Sequence, residues 1–228
     1  MKWIVIGHRE IGGNVHIQIL VSKAIVEPKY WQLAKRELSE SDRVLNNIIM
    51  TNPAGYLKAS KDAFLTLVNS IIGQQLSLRA ADSIKEKLEN CIELKPEKIL
   101  HLDEVTMRKC GLSRMKISYL KDISSKVMQG ELNFVQLKNM TDSEIINKLT
   151  EIRGVGEWTA QMFLIFCLTR PNILPTKDVG LINSIKYAYK TTELSKKDIE
   201  EYRNKWDPWC TVAAWYLWKN IDSEDTTY

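Results

Sequence analysis

From Pro28 to Asn220, apolar residues recur at three- and four-residue intervals, the spacing of helices with one buried face. Pro28 opens a first segment with Tyr30, Trp31, Leu33, Ala34 and Leu38 on or near one face. Ser60 is positioned to cap a helix carrying Phe64, Leu67, Val68, Ile71 and Ile72. Gly73 ends that helix, and Ser77 starts another through Ala80, Ala81, Ile84 and Leu88. Ser113 precedes Ile117, Leu120, Ile123 and Val127. Thr141 with Glu144, and Ser195 with Asp198, have capping-box spacing. A last helix spans about Pro208 to Asn220. Turn signals about every 10–18 residues predict an all-α chain of roughly ten short helices. Residues 1–26 differ. Two β-branched runs flank Ile11-Gly-Gly-Asn14, which reads either as two short strands forming a β-hairpin or as a partly ordered extension.

The chain has 228 residues, 44% hydrophobic and 26% charged, with a net charge of +4. Those proportions suit a soluble globular protein. The slight positive balance is compatible with a polyanionic partner without requiring one. Cys91, Cys110, Cys167 and Cys210 lack CxxC spacing, and three histidines accompany them. A zinc site or iron–sulfur cluster is therefore not expected, and the cysteines read as small buried apolar groups in a reducing compartment. No apolar run is long enough to span a membrane, and the charged N-terminal stretch does not read as a signal peptide. The expected location is cytoplasmic, with nucleoid association if the source is bacterial.

The densest chemical signal is Leu149-Thr-Glu-Ile-Arg-Gly154-Val-Gly156-Glu-Trp-Thr-Ala160. A helix ends near Thr150, a tight turn follows, and a second helix begins near Glu157. Gly154 and Gly156 permit positive φ and close backbone approach, while Val155 plugs the gap between the helices. The second helix points unpaired N–H groups and its positive dipole end at whatever enters, and a DNA phosphate is the natural occupant. A plain helical corner with a glycine C-cap is the bland alternative. About twenty residues later comes Leu174-Pro-Thr-Lys-Asp178-Val-Gly-Leu. Asp178 follows a Pro-bearing loop and can cap a helix over Val179–Tyr189, accepting N–H bonds while ionised. Read alone, it is an N-cap and nothing more.

Together, in this order, the segments resemble the helix-hairpin-helix (HhH-GPD) DNA glycosylase superfamily. The resemblance covers residues 28–220 or so and implies a two-lobed helical fold with a cleft between lobes. Its central lobe would span about 60–165, and residues 27–59 with 166–228 would form the second. It implies that Asp178 is the catalytic carboxylate and that Gly154, Val155, Gly156 and Thr159 bind DNA. It also implies that backbone carbonyls of Thr150, Ile152 and Val155 hold a monovalent cation, Na+ or K+. Members that also nick the strand carry a lysine two residues after the second hairpin glycine. Trp158 stands there instead, so the resemblance implies a monofunctional enzyme that leaves an abasic site.

Trp158 and the segment Trp206-Asp-Pro-Trp209-Cys-Thr-Val-Ala-Ala-Trp215-Tyr-Leu-Trp218 are similar to the alkylation-repair branch, the 3-methyladenine DNA glycosylase II type. By that likeness Trp158, Trp218 and Met162 line the base pocket, while Trp206, Trp209 and Trp215 are mostly core. Met162 stands where relatives place an aromatic, and Cys210 where many have arginine. Aromatic faces attract a cationic purine, and N3 or N7 alkylation makes purines cationic. Ile71-Ile-Gly-Gln74-Gln75-Leu-Ser77-Leu-Arg-Ala-Ala81 resembles the family's other signature; Gln75 there fills the gap left by a flipped base. The alternative for Gln74 and Gln75 is bonding to backbone at a helix junction. The N-terminal β-domain of longer relatives is absent from this pattern, giving a compact form. The implied partner is double-stranded DNA containing alkylated bases, bound by a monomer. Rival readings are a glycosylase for a neutral oxidised or deaminated base, a non-catalytic damaged-DNA-binding protein, and a helical interaction scaffold.

Overall fold

A computed structural model describes residues 27–221 (for Leu78, the backbone alone). The extension at 1–26, where short strands were an expectation, lies outside the described residues. Among those described, thirteen helices and no strands are present. The helices that the sequence reading did not single out are α2 (Arg43–Thr51), α5 (Pro96–His101), α6 (Glu104–Lys109) and α8 (Phe134–Leu137). Three of these run two turns or less, too short for apolar periodicity to register.

Most boundaries follow local chemistry. Ser77, Ser113 and Thr141 cap α4 (Leu78–Cys91), α7 (Arg114–Met128) and α9 (Asp142–Thr150), each hydroxyl accepting an N–H of the first turn. Thr141 with Glu144, and Ser195 with Asp198 on α12 (Lys196–Trp206), complete the reciprocal boxes. The start of α3 (Ala63–Gly73) differs: its cap is Asp62, not Ser60. Ser60 is held in the preceding loop, its N–H donating to the Phe166 carbonyl at 2.7 Å. Pro28 sits one turn ahead of α1 (Trp31–Ser41), its carbonyl accepting the Trp31 N–H. The last helix, α13 (Cys210–Ile221), begins two residues beyond Pro208.

Two sets of helices share the apolar core. In one, α3 packs on α4, α7 and α10 (Glu157–Phe166), α9 on α10, and α7 on α5 and α6. In the other, α13 packs on α1, α2, α11 (Val179–Tyr189) and α12. Trp31, Phe163, Trp206 and Tyr216 are fully buried. Gly55 is needed beneath this aromatic layer because a Cβ there would meet the Trp215 ring at 2.6 Å. Its carbonyl accepts from Trp31 Nε1 and the Tyr216 hydroxyl, both at 3.0 Å.

One buried carboxylate ties the second set together. Asp42 leaves the helical region (φ −138°), separating α1 from α2, and accepts N–H bonds from Val44 and Leu45. It is 1% exposed. Its Oδ2 also accepts from the Tyr189 hydroxyl at 2.5 Å and Trp206 Nε1 at 3.2 Å, and pairs with Lys205 Nζ at 2.9 Å. Burial pulls this carboxyl's pKa upward, but the bonds from Tyr189, Lys205, Trp206 and Leu45 outweigh it and hold the group below its ordinary value. Tyr189 ends α11, so the network anchors the far end of the helix that Asp178 begins.

Candidate active site and nucleic-acid interface

The hairpin joins α9 to α10. Val155 N–H donates to the Ile152 carbonyl at 3.0 Å, closing the turn, and the Val155 side chain is buried. The two glycines behave differently. Gly154 has φ +82°, the left-handed region that strains other residues, whereas Gly156 is extended (φ −92°, ψ 176°) and caps α10. A Cβ at Gly154 would lie 2.2 Å from the Tyr119 ring, while one at Gly156 would meet open space. Gly154 therefore serves close packing against α7, and Gly156 keeps the approach to α10 clear. Glu157, Trp158 and Thr159 form the first turn of α10, whose N–H groups have no intrahelical acceptor.

Opposite the hairpin lies the turn between α3 and α4. Gln74 reaches across: its Nε2 donates to the Gly154 carbonyl at 2.8 Å and to Thr159 Oγ at 3.1 Å. The Thr159 side chain is thus buried and engaged inside the protein, leaving its backbone as the part able to face a ligand. Gln75 is exposed and adopts φ +57°. Lys116, not singled out in the sequence, caps the end of α3 from α7. Its Nζ donates to the carbonyls of Ile72 at 2.6 Å and Gln74 at 2.8 Å, and burial holds its pKa below the usual value. Arg153 N–H is held by Asp122 at 3.3 Å. Between hairpin and turn runs a groove of about 550 Å³ lined by Gln74, Gln75, Lys116, Tyr119, Arg153 and both glycines, among others. Thr150, Ile152 and Val155 also line it. Asp178 is not part of this lining.

Asp178 caps α11, its Oδ1 accepting the Leu181 N–H at 2.6 Å. Two indoles converge on the same carboxylate: Trp158 Nε1 donates to Oδ2 at 2.7 Å and Trp218 Nε1 to Oδ1 at 3.0 Å. These tryptophans, expected as pocket walls, bond the carboxylate through their ring edges. Trp218 is 8% exposed and stacks on Phe166 with centroids 5.9 Å apart. Trp158 is partly buried, and Met162, one turn along α10, is 5% exposed. Gly180 makes room: a Cβ there would approach Asp178 Oδ1 to 3.1 Å. Lys177 pairs with Glu157 at 2.5 Å, bridging the aspartate loop to the start of α10. Trp206 and Trp215 are core, and Trp209 stacks on Tyr30 and donates to Glu37. Cys210 is fully buried, its thiol pushed up to about 12 by burial.

Lys116, Tyr119, Asp122 and Gly180 were missed by sequence reasoning. The pattern Ser113 to Tyr119 shows a capped helix, but nothing in it says that the polar side reaches α3 and the hairpin.

Comparison with known proteins bears on this arrangement. Residues 68–208 match the model of the HhH-GPD superfamily base excision DNA repair protein. DNA-3-methyladenine glycosylase 1 of Schizosaccharomyces pombe is 31% identical over 173 residues, covering 73% of this chain and 76% of that one. A DNA-3-methyladenine glycosylase of Bacillus subtilis is 32% identical over 172 residues, 69% of this chain. The chain spans 58% and 57% of the length of two relatives from that organism. The solved Schizosaccharomyces pombe 3-methyladenine DNA glycosylase in complex with abasic DNA superposes with a TM-score of 0.76 at 28% identity, covering 86% of this chain and all of that one. A Bacillus halodurans DNA-3-methyladenine glycosidase gives 0.66 at 35% identity, covering 82% and 88%. With the hairpin and the aspartate loop inside the matched span, the chain belongs to the HhH-GPD superfamily of base excision DNA repair proteins.

Proposed function

We propose that the chain is a monofunctional DNA glycosylase that hydrolyses the N-glycosidic bond of alkylated purines, of the 3-methyladenine and 7-methylguanine type, in base excision repair. The observation that carries this reading is the Asp178 carboxylate, held by two indole N–H groups and one backbone N–H at the head of α11. The reacting nucleotide would enter between the two helix sets, with the hairpin holding a neighbouring phosphate on the N–H groups of α10. Lys116 and Arg153 add positive charge along the groove. Gln75, exposed on its left-handed turn, would fill the space vacated by the flipped base and offset part of the unstacking penalty of a few kcal/mol.

An alkylated purine already carries positive charge. As the C1′–N bond breaks, its electron pair passes to the purine, which leaves neutral. Positive charge develops on C1′ and is shared with the ring oxygen, where the nearby carboxylate stabilises it. A water oxygen then bonds to C1′ and gives up one proton, to Asp178 or to solvent, leaving an abasic sugar. At the position where strand-nicking relatives carry lysine, Trp158 offers no amine for a Schiff base, and Lys177 is engaged by Glu157. The carbonyls of Thr150, Ile152 and Val155 would hold Na+ or K+. The turn suits this, because the Thr150 hydroxyl folds back onto Ile146 and Asn147 and the Ile152 oxygen keeps one lone pair beyond its bond from Val155. Such a cation would supply positive charge beside the phosphate. The reading takes the protein to act as a monomer.

The test is incubation of the protein with methylated duplex DNA and chromatography of what is freed. The expected result is release of 3-methyladenine or 7-methylguanine with the strand left unbroken. Tight binding to abasic DNA without any base release would reduce the protein to a damage binder. Release confined to neutral oxidised or deaminated bases would overturn the substrate class.

A further inference from the structure

The two tryptophans, expected as pocket walls, meet this site through their N–H edges. A carboxylate offers about four lone-pair positions. Three are taken here: two on Oδ1, by Leu181 N–H at 2.6 Å and Trp218 Nε1 at 3.0 Å, and one on Oδ2, by Trp158 Nε1 at 2.7 Å. The donors come from α11 itself, from α13 and from α10, so the group is held from three directions. Both indole donors are on rigid planar side chains, and an indole can only donate. Trp218 is itself fixed by its stack on Phe166. The bare Cα of Gly180 belongs to the same device, since any Cβ would press on Oδ1 (3.1 Å) while only touching Trp218 Nε1 in ordinary contact (3.7 Å).

We propose that the indole N–H groups of Trp158 and Trp218 are positioning groups that aim the Asp178 carboxylate and leave it a single open acceptor site, on Oδ2. This rests on the reading of Asp178 as the catalytic carboxylate. With one site open, the group meets either the forming charge at C1′ or one O–H of one water, and cannot grip two ligands at once. It therefore works as an aimed negative charge, suited to a leaving group that brings its own positive charge. Trp218 has one face covered by Phe166, whereas Trp158 is only partly buried, so its ring can still meet a base while its edge holds the carboxylate.

Substitution by phenylalanine separates the two roles, because it keeps an aromatic face and removes the N–H. Single-turnover release of 7-methylguanine at saturating enzyme, and affinity for abasic-site DNA, are measured for Trp158→Phe, Trp158→Ala and Gly180→Ala, with thermal melting as the folding control. A hydrogen bond to a charged group sets the expected size: Trp158→Phe slows release about 10–100-fold, nearly as much as Trp158→Ala, with abasic-DNA affinity within about twofold of wild type. Gly180→Ala, which removes no functional group, slows release several-fold in the same way. If Trp158→Phe releases base at the wild-type rate while Trp158→Ala is slow, the residue is a wall and the proposal fails. A melt lowered so far that Trp158→Phe is unfolded passes the decision to Gly180→Ala, where a wild-type rate likewise overturns it. The reading of Asp178 as the catalytic carboxylate fails separately, if Asp178→Asn remains active.

Discussion

The two hairpin glycines, two residues apart in one motif, should fail in opposite ways. In Gly154→Ala the new methyl must sit at φ +82° and 2.2 Å from the Tyr119 ring. The left-handed backbone costs about 1–2 kcal/mol for a residue with a Cβ. Displacing a packed ring adds an overpacking term of about 1–3 kcal/mol. The sum, about 2–5 kcal/mol, corresponds to a fall in Tm of roughly 4–20 °C for a domain of this size. Gly156→Ala has none of this: its backbone is extended and its Cβ meets nothing within 4 Å. Poorer capping by alanine and the reduced freedom of the unfolded chain oppose each other at under about 1 kcal/mol each. Its Tm should stay within a few degrees of wild type, while the methyl projects into the approach to α10 and weakens DNA binding. The assays are thermal melting without DNA and titration with abasic duplex. Tyr119→Ala in the Gly154→Ala background should recover part of the lost Tm, because the clash is with that ring. Equal melting temperatures for the two glycine variants would refute the geometric argument.

Further outcomes follow from the same contacts. Asp42→Ala leaves the Tyr189 and Trp206 donors unpaired and α2 uncapped and should destabilise by about 3–5 kcal/mol, read by thermal or urea unfolding. Because folding lowers this carboxyl's pKa, its stabilisation is complete above the unfolded-chain value near ~4 and is lost as pH falls through the lower folded value. Asp42→Asn should therefore flatten the acid limb of the stability curve, and an unchanged limb would contradict the assignment. Lys116→Met frees the carbonyls of Ile72 and Gln74 and should weaken abasic-DNA binding by about tenfold, with release at saturation within about twofold. Borohydride added during turnover should trap no protein–DNA adduct; a trapped band would show an amine nucleophile.

The parts of this molecule legible in its sequence are those written by neighbours in the chain. Ser77, Ser113, Thr141 and Ser195 announce their helices because a cap and the N–H that donates to it lie within three residues. The hairpin and the helix following Asp178 are legible for the same reason, and α11 runs over the expected Val179–Tyr189. Ser60 and Asp62 were locally equivalent as caps, and the choice fell to Asp62 because Ser60 is held by Phe166, about a hundred residues away. The same distance hides the supports of the site. Lys116 meets Gln74 across α3 and α7, Tyr119 meets Gly154, and Asp42 meets Tyr189 and Trp206 through tertiary packing alone. The sequence pointed to Trp158 and Trp218 only as aromatic rings expected to wall a pocket. Whether a ring offers its face or its N–H edge depends on how α10 and α13 lie against α11, which no local pattern encodes.

The central claim, that one carboxylate at the head of α11 drives glycosidic cleavage, is tested most directly by Asp178→Asn. Single-turnover release of 3-methyladenine should fall by at least about 10²–10³-fold, the scale of losing one preorganised electrostatic contact in a transition state, while abasic-DNA affinity is largely retained. Release near the wild-type rate from a folded, DNA-binding Asp178→Asn protein would contradict it.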